Sequence, residues 1–88
     1  MTVSFFHKIR EVCEKYNVSP EDEKELYIDA MRYLHDVADR VALEFKSIIL
    51  GIDAFKDDIA RDIECVSKMN NINDVRRKVF GDEEVDEE

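Results

Sequence analysis

The sequence predicts an all-α fold: a short N-terminal helix plus a long antiparallel helical hairpin, completed into a bundle by oligomerisation. Three observations carry this expectation. With only 2 Gly and 1 Pro in 88 residues, there is almost no material for hairpin turns, which nearly excludes an all-β chain. Hydrophobic residues make up 44% and charged residues 40%, a mixture too apolar for disorder and too charged for a membrane span. Apolar residues also recur at three- and four-residue spacing from Phe5 to Val79, the period of a helix with one buried side. The length suits one small domain, placed at residues 1–81, with an acidic disordered tail at 82–88.

The first helix is expected over residues 3–16. Phe5, Ile9, Val12, Cys13 and Tyr16 form its apolar side, with Lys8, Arg10, Glu11, Glu14 and Lys15 opposite. Asn17-Val18-Ser19-Pro20 then ends one helix and starts the next. The Ser19 hydroxyl can accept from an orphan backbone N–H, and Pro20 fits the first helical position, where no donor is required. Glu21, Asp22 and Glu23 put negative charge at the positive end of the helix dipole.

The second helix is expected from Pro20 to Leu50, with no Gly or Pro inside it. Tyr27, Met31, Leu34, Ala38, Val41, Phe45 and Ile48 are spaced 4-3-4-3-4-3, a heptad seam widened by Ala30, Val37, Ala42 and Ile49. Such a helix is ~46 Å long, against ~30 Å for a compact body of this size. Either it is interrupted, or the molecule is elongated and finds a partner.

Gly51 is the expected stop, in a left-handed position, with Asp53 capping a third helix from near Ala54. Ile52, Phe55, Ile59, Ile63, Val66 and Met69 should face inward. Asn70-Asn71-Ile72-Asn73-Asp74 is poor helix material and is either a short break or part of a continuous helix. Val75, Val79 and Phe80 continue the stripe until Gly81 ends it. The two long helices should form the hairpin, with the first helix packed across it. Limited apolar burial per residue makes a dimer with a four-helix core the simplest remedy.

The formal net charge is −9, but six of residues 82–88 are acidic, and residues 1–81 carry 16 acids against 13 bases, a net of −3. The body thus lacks the basic face needed for direct binding to a nucleic-acid backbone. Cys13 and Cys65 lie far apart and form no CxxC; both fall on apolar sides and are expected as buried free thiols in a reduced compartment. The N-terminus is not a signal peptide and no stretch reaches transmembrane length, so no membrane partner is expected and the location is read as cytoplasmic, the host cytosol if the chain is viral.

Candidate chemistry is sparse. Leu34-His35-Asp36-Val37-Ala38 resembles the paired metal ligands of HD-type phosphohydrolases. A lone His-Asp dipeptide is common, however, and His35 beside Asp39 at i+4 reads as an exposed histidine paired with a carboxylate. Asp22-x-x-Glu25 and Asp36-x-x-Asp39, with Asp58, Asp62 and Glu64, are similar to the carboxylate pairs with which small all-α nucleotide pyrophosphohydrolases hold Mg²⁺. No EExxE string is present, and the positions mostly face away from the seam, whereas a hard cation needs converging oxygens. Cys13, His7 and Cys65 lack zinc spacing, and there is no Ser/His/acid set or glycine loop. No catalytic residue, metal ligand or cofactor is therefore assigned. The order short helix, long helix, short helix looks like the histone fold, with Val18-Ser19 opening the long helix and Asp58-Ile59 the third. That resemblance implies an acidic dimerisation partner; the second loop lacks the family's arginine.

These observations favour a non-enzymatic interaction protein that self-associates, dimer first, and binds, inhibits or adapts another macromolecule. Compact acidic chains of this kind are common among phage and viral host-modulating proteins, an analogy of size and charge. The binding candidates are Arg32, Tyr33 and Arg40 on the second helix and Arg76, Arg77 and Lys78 near the end of the last. The arginines of the second helix have Asp29 and Asp36 at pairing distance along the chain, and the basic triplet complements a helix C-terminus or the acidic tail. The alternatives are a small anionic or nucleotide ligand held by these residues and Tyr27 in a pocket between helices, the metal-dependent pyrophosphohydrolase, and the histone-like partner.

Overall fold

The computed structural model describes residues 2–81, and the side chains of residues 5–46, 48 and 51–81 within them. The acidic tail expected at 82–88 lies outside the described residues. The described chain is helical, with α1 at Thr2–Lys15, α2 at Pro20–Glu44, α3 at Ile49–Ser67 and α4 at Ile72–Phe80, and no strand among the described residues. A single 3₁₀ turn, Lys46–Ile48, joins α2 to α3.

The first junction follows its local chemistry. Asn17 takes φ 56°, a left-handed conformation that Asn tolerates. Its N–H reaches the Glu14 carbonyl at 3.4 Å and the Val18 N–H the Cys13 carbonyl at 2.9 Å, the paired bonds of a Schellman end. Ser19 then caps α2, accepting from the Asp22 N–H at 3.2 Å, and Pro20 opens the helix.

The second junction differs from expectation. Gly51 does not stop α2; it lies in the first turn of α3. The helix ends at Glu44, and the Phe45 N–H donates to the Val41 carbonyl at 2.9 Å. The Ile48 N–H then bonds the Phe45 carbonyl at 2.9 Å, so the reversal is made by a 3₁₀ turn that uses no positive φ and needs no glycine. A Cβ built on Gly51 meets nothing within 4 Å. Gly51→Ala is therefore expected to stabilise the fold by about 0.5–1 kcal/mol, read as a higher denaturant midpoint at unchanged slope. A left-handed Gly51 would give the opposite sign.

The expected third helix is two helices. The Lys24 ammonium, on α2, donates to the last carbonyls of α3, at Ser67 and Met69, and so closes its C-terminus. Asn71 starts α4, its side chain accepting from the Asn73 N–H at 2.8 Å. Asp58-Ile59, which the histone-like pattern puts at a helix start, lies mid-way along α3. Gly81, at φ 62°, ends α4 as expected.

α2 and α3 form the antiparallel hairpin, tied by Lys24 at one end and by the Lys56–Asp39 ion pair towards the other. α1 and α4 cover only the half nearest the start of α2. There Phe6, Tyr27, Ile28, Ala30, Met31, Ile59, Val66, Val75 and Phe80 make one core. The seam of α2 is buried through Met31 but not to its end: Ala38 and Ala42 are buried, while Val41, Phe45 and Ile48 are exposed. A 4-3 series drifts ~20° per heptad around a straight helix, which turns Val41 away from α3 and brings Ala42 in.

Candidate interaction surfaces

Among the described residues, Glu23 centres a buried polar cluster that the sequence announces only as charge at a helix start. Glu23 is 3% exposed. Its carboxylate accepts from Arg76 Nε and Nη2 at 3.0 Å each, a bidentate pair, and from the Tyr27 hydroxyl at 2.8 Å. Burial and the hydrogen bond to Glu23 push the Tyr27 hydroxyl well above its ordinary pKa, and the same carboxylate raises that of Arg76. The available signal was spacing. Glu23 sits four residues before Tyr27, so the seam runs one step further back and places an acid on the buried side.

The basic triplet therefore does not act as a unit. Arg76 points inward to Glu23, Arg77 pairs with Asp74 at 3.6 Å on its own helix, and Lys78 reaches Asp62 of α3 at 3.1 Å. Tyr27 is wholly buried, so it cannot stack on a ligand together with Tyr33. The residues considered for a nucleotide pocket do not meet in one place.

The carboxylates are likewise dispersed. Asp39 pairs with Lys56, whose hydrogen bond holds its carboxyl below the ordinary range, with His35 adding a smaller attraction in the same direction. Asp58 pairs with Arg61 and Asp62 with Lys78. Among the described residues no three His, Cys, Asp or Glu side chains gather where a metal ion could sit. Cys13 is buried, and desolvation raises its thiol pKa. Cys65 is exposed, contrary to expectation. The buried line of α3 runs through Ile59, Ile63 and Val66, and Cys65, one position before Val66, turns out beside Lys68 and Lys78.

What remains is apolar surface. Arg32, Tyr33 and Arg40 stand on the solvent side of α2, with Tyr33 60% exposed. Neither arginine forms an ion pair among the described residues, so the expected pairing with Asp29 and Asp36 is absent. Tyr33 belongs to the stripe Leu26, Ala30, Tyr33, Val37 on α2, and α1 carries the stripe Phe5, Ile9, Val12, Tyr16 at the same 4-3-4 spacing. Phe80 of α4 packs on His7, Arg10 and Tyr27, the opposite flank of the α1–α2 pair. The two stripes thus border the outer groove between α1 and α2, where Phe5, Val12, Tyr16, Leu26 and Tyr33 are all exposed.

A second apolar area lies beyond the reach of α1 and α4, at the turn end of the hairpin. Val41, Phe45, Ile48 and Phe55 are exposed there, next to a cleft of about 230 Å³ among Phe6, Met31, Leu34, Phe55, Ile59 and Val79. Among the described residues no helix is long and apolar enough to cross a membrane. No family model, curated protein or solved structure matches the chain.

Proposed function

We propose that this chain is a non-enzymatic interaction protein of the cytoplasm that self-associates and engages a protein partner, whose activity it inhibits or adapts. The single observation that supports this is the amount of large apolar side chain left in solvent by so small a chain, most of it in two areas, with Leu43 apart from both. The outer groove between α1 and α2 suits an amphipathic helix of the partner. Two helical stripes in register offer walls for residues at i, i+3 and i+7, and Tyr33 supplies an aromatic anchor. Arg32 and Arg40, without ion-pair partners among the described residues, stand on the solvent side of α2 and favour carboxylates on a partner.

Tyr33→Ala, Arg32→Ala and Arg40→Ala test the reading separately. Complexes isolated under native conditions are weighed intact by mass spectrometry, and the melting temperature of each variant is measured alongside. Tyr33→Ala is expected to weaken partner binding at least tenfold with a melting temperature within a few degrees of wild type, because the ring is mostly in solvent. The arginine variants are expected to slow association, more so at low salt. Mg²⁺-dependent nucleotide hydrolysis by the wild type, lost in Asp36→Asn or Asp39→Asn, would overturn the proposal.

A further inference from the structure

The turn end of the α2–α3 hairpin is the other apolar area, and its occupant can be argued from its shape. This step rests on the reading that the chain works by association. We infer that the end of the hairpin is the dimerisation face, and that a second copy of this chain covers it through the same face, forming a four-helix core about a two-fold axis.

Continuity is the first argument. The strip is not a separate patch but the unfinished half of the core. α2 is ~37 Å long at 25 residues, longer than the ~30 Å of a compact body this size. α1 and α4 cover it only to about Leu34, where Phe6 meets Met31 and Leu34 beside the cleft. Past that point the same side continues through Val41, Phe45, Ile48 and Phe55 with nothing of the described chain over it.

Area is the second argument. Val41 is 36% exposed, Phe55 42%, Phe45 51% and Ile48 65%. With about 200 Å² for a whole Phe side chain and less for Ile and Val, these four expose on the order of 350 Å². A standard interface takes about 800 Å² from each partner, somewhat more than half of it apolar. The strip therefore supplies most of the apolar share of one such interface, and not enough for a larger one.

Charge is the third. The flanking residues carry both signs, with Arg40 and Lys46 against Glu44 and Asp53, so a copy meets itself without a block of like charge. A two-fold axis sets the same patch of both chains against each other, and such a contact closes at two chains. The face is distinct from the α1–α2 groove, which a dimer of this kind leaves open.

The test compares two apolar-to-acid substitutions two positions apart at the end of α2. Phe45 belongs to the strip, whereas Leu43, 79% exposed, points to the outer side of the hairpin. Sedimentation equilibrium of the full chain is expected to give twice the chain mass for wild type, for Leu43→Asp and for Tyr33→Asp. Phe45→Asp should weaken the dimer at least about a hundredfold, since assembly would then bury two uncompensated carboxylates. Far-UV circular dichroism should show unchanged helix in that variant, because Phe45 is half in solvent before association; Ile48→Asp, at a more exposed position, is the second variant should Phe45→Asp not fold. A monomeric wild type, at the highest concentration reached, overturns the inference, even if it still binds a protein partner and so leaves the proposed function standing. A dimer that survives both strip variants but is lost in Tyr33→Asp overturns it too, and assigns self-association to the α1–α2 groove.

Discussion

Arg76→Ala is expected to destabilise the fold by about 3–5 kcal/mol, more than any other single change at a charged residue of the described chain. The reason lies in what stays behind. Glu23 remains 3% exposed with one neutral donor, the Tyr27 hydroxyl, where it had three charge-assisted or neutral bonds. A buried carboxylate without its cation carries the desolvation cost of a full charge. For about 80 structured residues total stability is on the order of 4–12 kcal/mol, so the variant sits near the midpoint of unfolding. Two companions separate this account from a loss of packing. Tyr27→Phe removes one donor and keeps the pair, and should cost only about 1 kcal/mol. The double substitution Glu23→Leu with Arg76→Met removes both charges and is expected to recover most of the loss, since an apolar pair of similar volume does not demand desolvation. Urea unfolding at pH 7 reads the variants. Recovery by Arg76→Met alone would assign the effect to packing of the Arg76 stem.

This network also marks where the sequence was readable and where it was not. Helix content, the Ser19-Pro20 start and the Gly81 stop were legible because each is decided within a few residues: a hydroxyl reaching an N–H three positions on, a ring with no donor, a backbone free to take positive φ. The α2–α3 turn was misplaced for a related reason. Gly51 was the one local signal for chain reversal in that region, but a 3₁₀ turn has no residue requirement of that kind, so the turn fell where the return of α3 buries Ala38, Ala42 and Ile59. The break between α3 and α4 was left open because its decisive partner, Lys24, is over 40 residues away in sequence. Glu23 was misread for the same reason. Its local role, charge in the first turn of α2, is real, but Arg76 comes from the far end of the chain. For the interaction surfaces, Tyr33, Arg32 and Arg40 were recognisable as residues outside the seam. That Phe45 and Ile48 would lie in solvent was not, since the seam pattern is the same whether its cover is intramolecular or a second chain.

Phe80→Ala is expected to cost about 3–5 kcal/mol and to release α4, and with it α1, from the hairpin. Phe80 is the last residue of α4 and is 3% exposed. Its ring is surrounded from three directions: His7 of α1 lies 4.5 Å away between ring centroids, the Arg10 guanidinium stands 4.6 Å over the face, and Tyr27 of α2 meets it edge-on at 6.1 Å. Arg10 also approaches His7 Nδ1 at 3.2 Å, so the two polar side chains of α1 are ordered around the ring. Removing it opens a cavity where three helices meet, and a nine-residue helix holds too few of its own hydrogen bonds to persist without that anchor. Because α4 carries Arg76, its release also strips Glu23 of its cation, and the cavity loss and the charge loss reinforce each other. Hydrogen exchange followed residue by residue is the decisive measurement. Protection should fall first in α4 and α1 while the middle of α2 and α3 keeps more of its own, held by Ile28, Met31, Ile59 and Lys56–Asp39. A uniform loss of protection across all four helices would instead mean that the hairpin has no stability apart from the two helices that cover it.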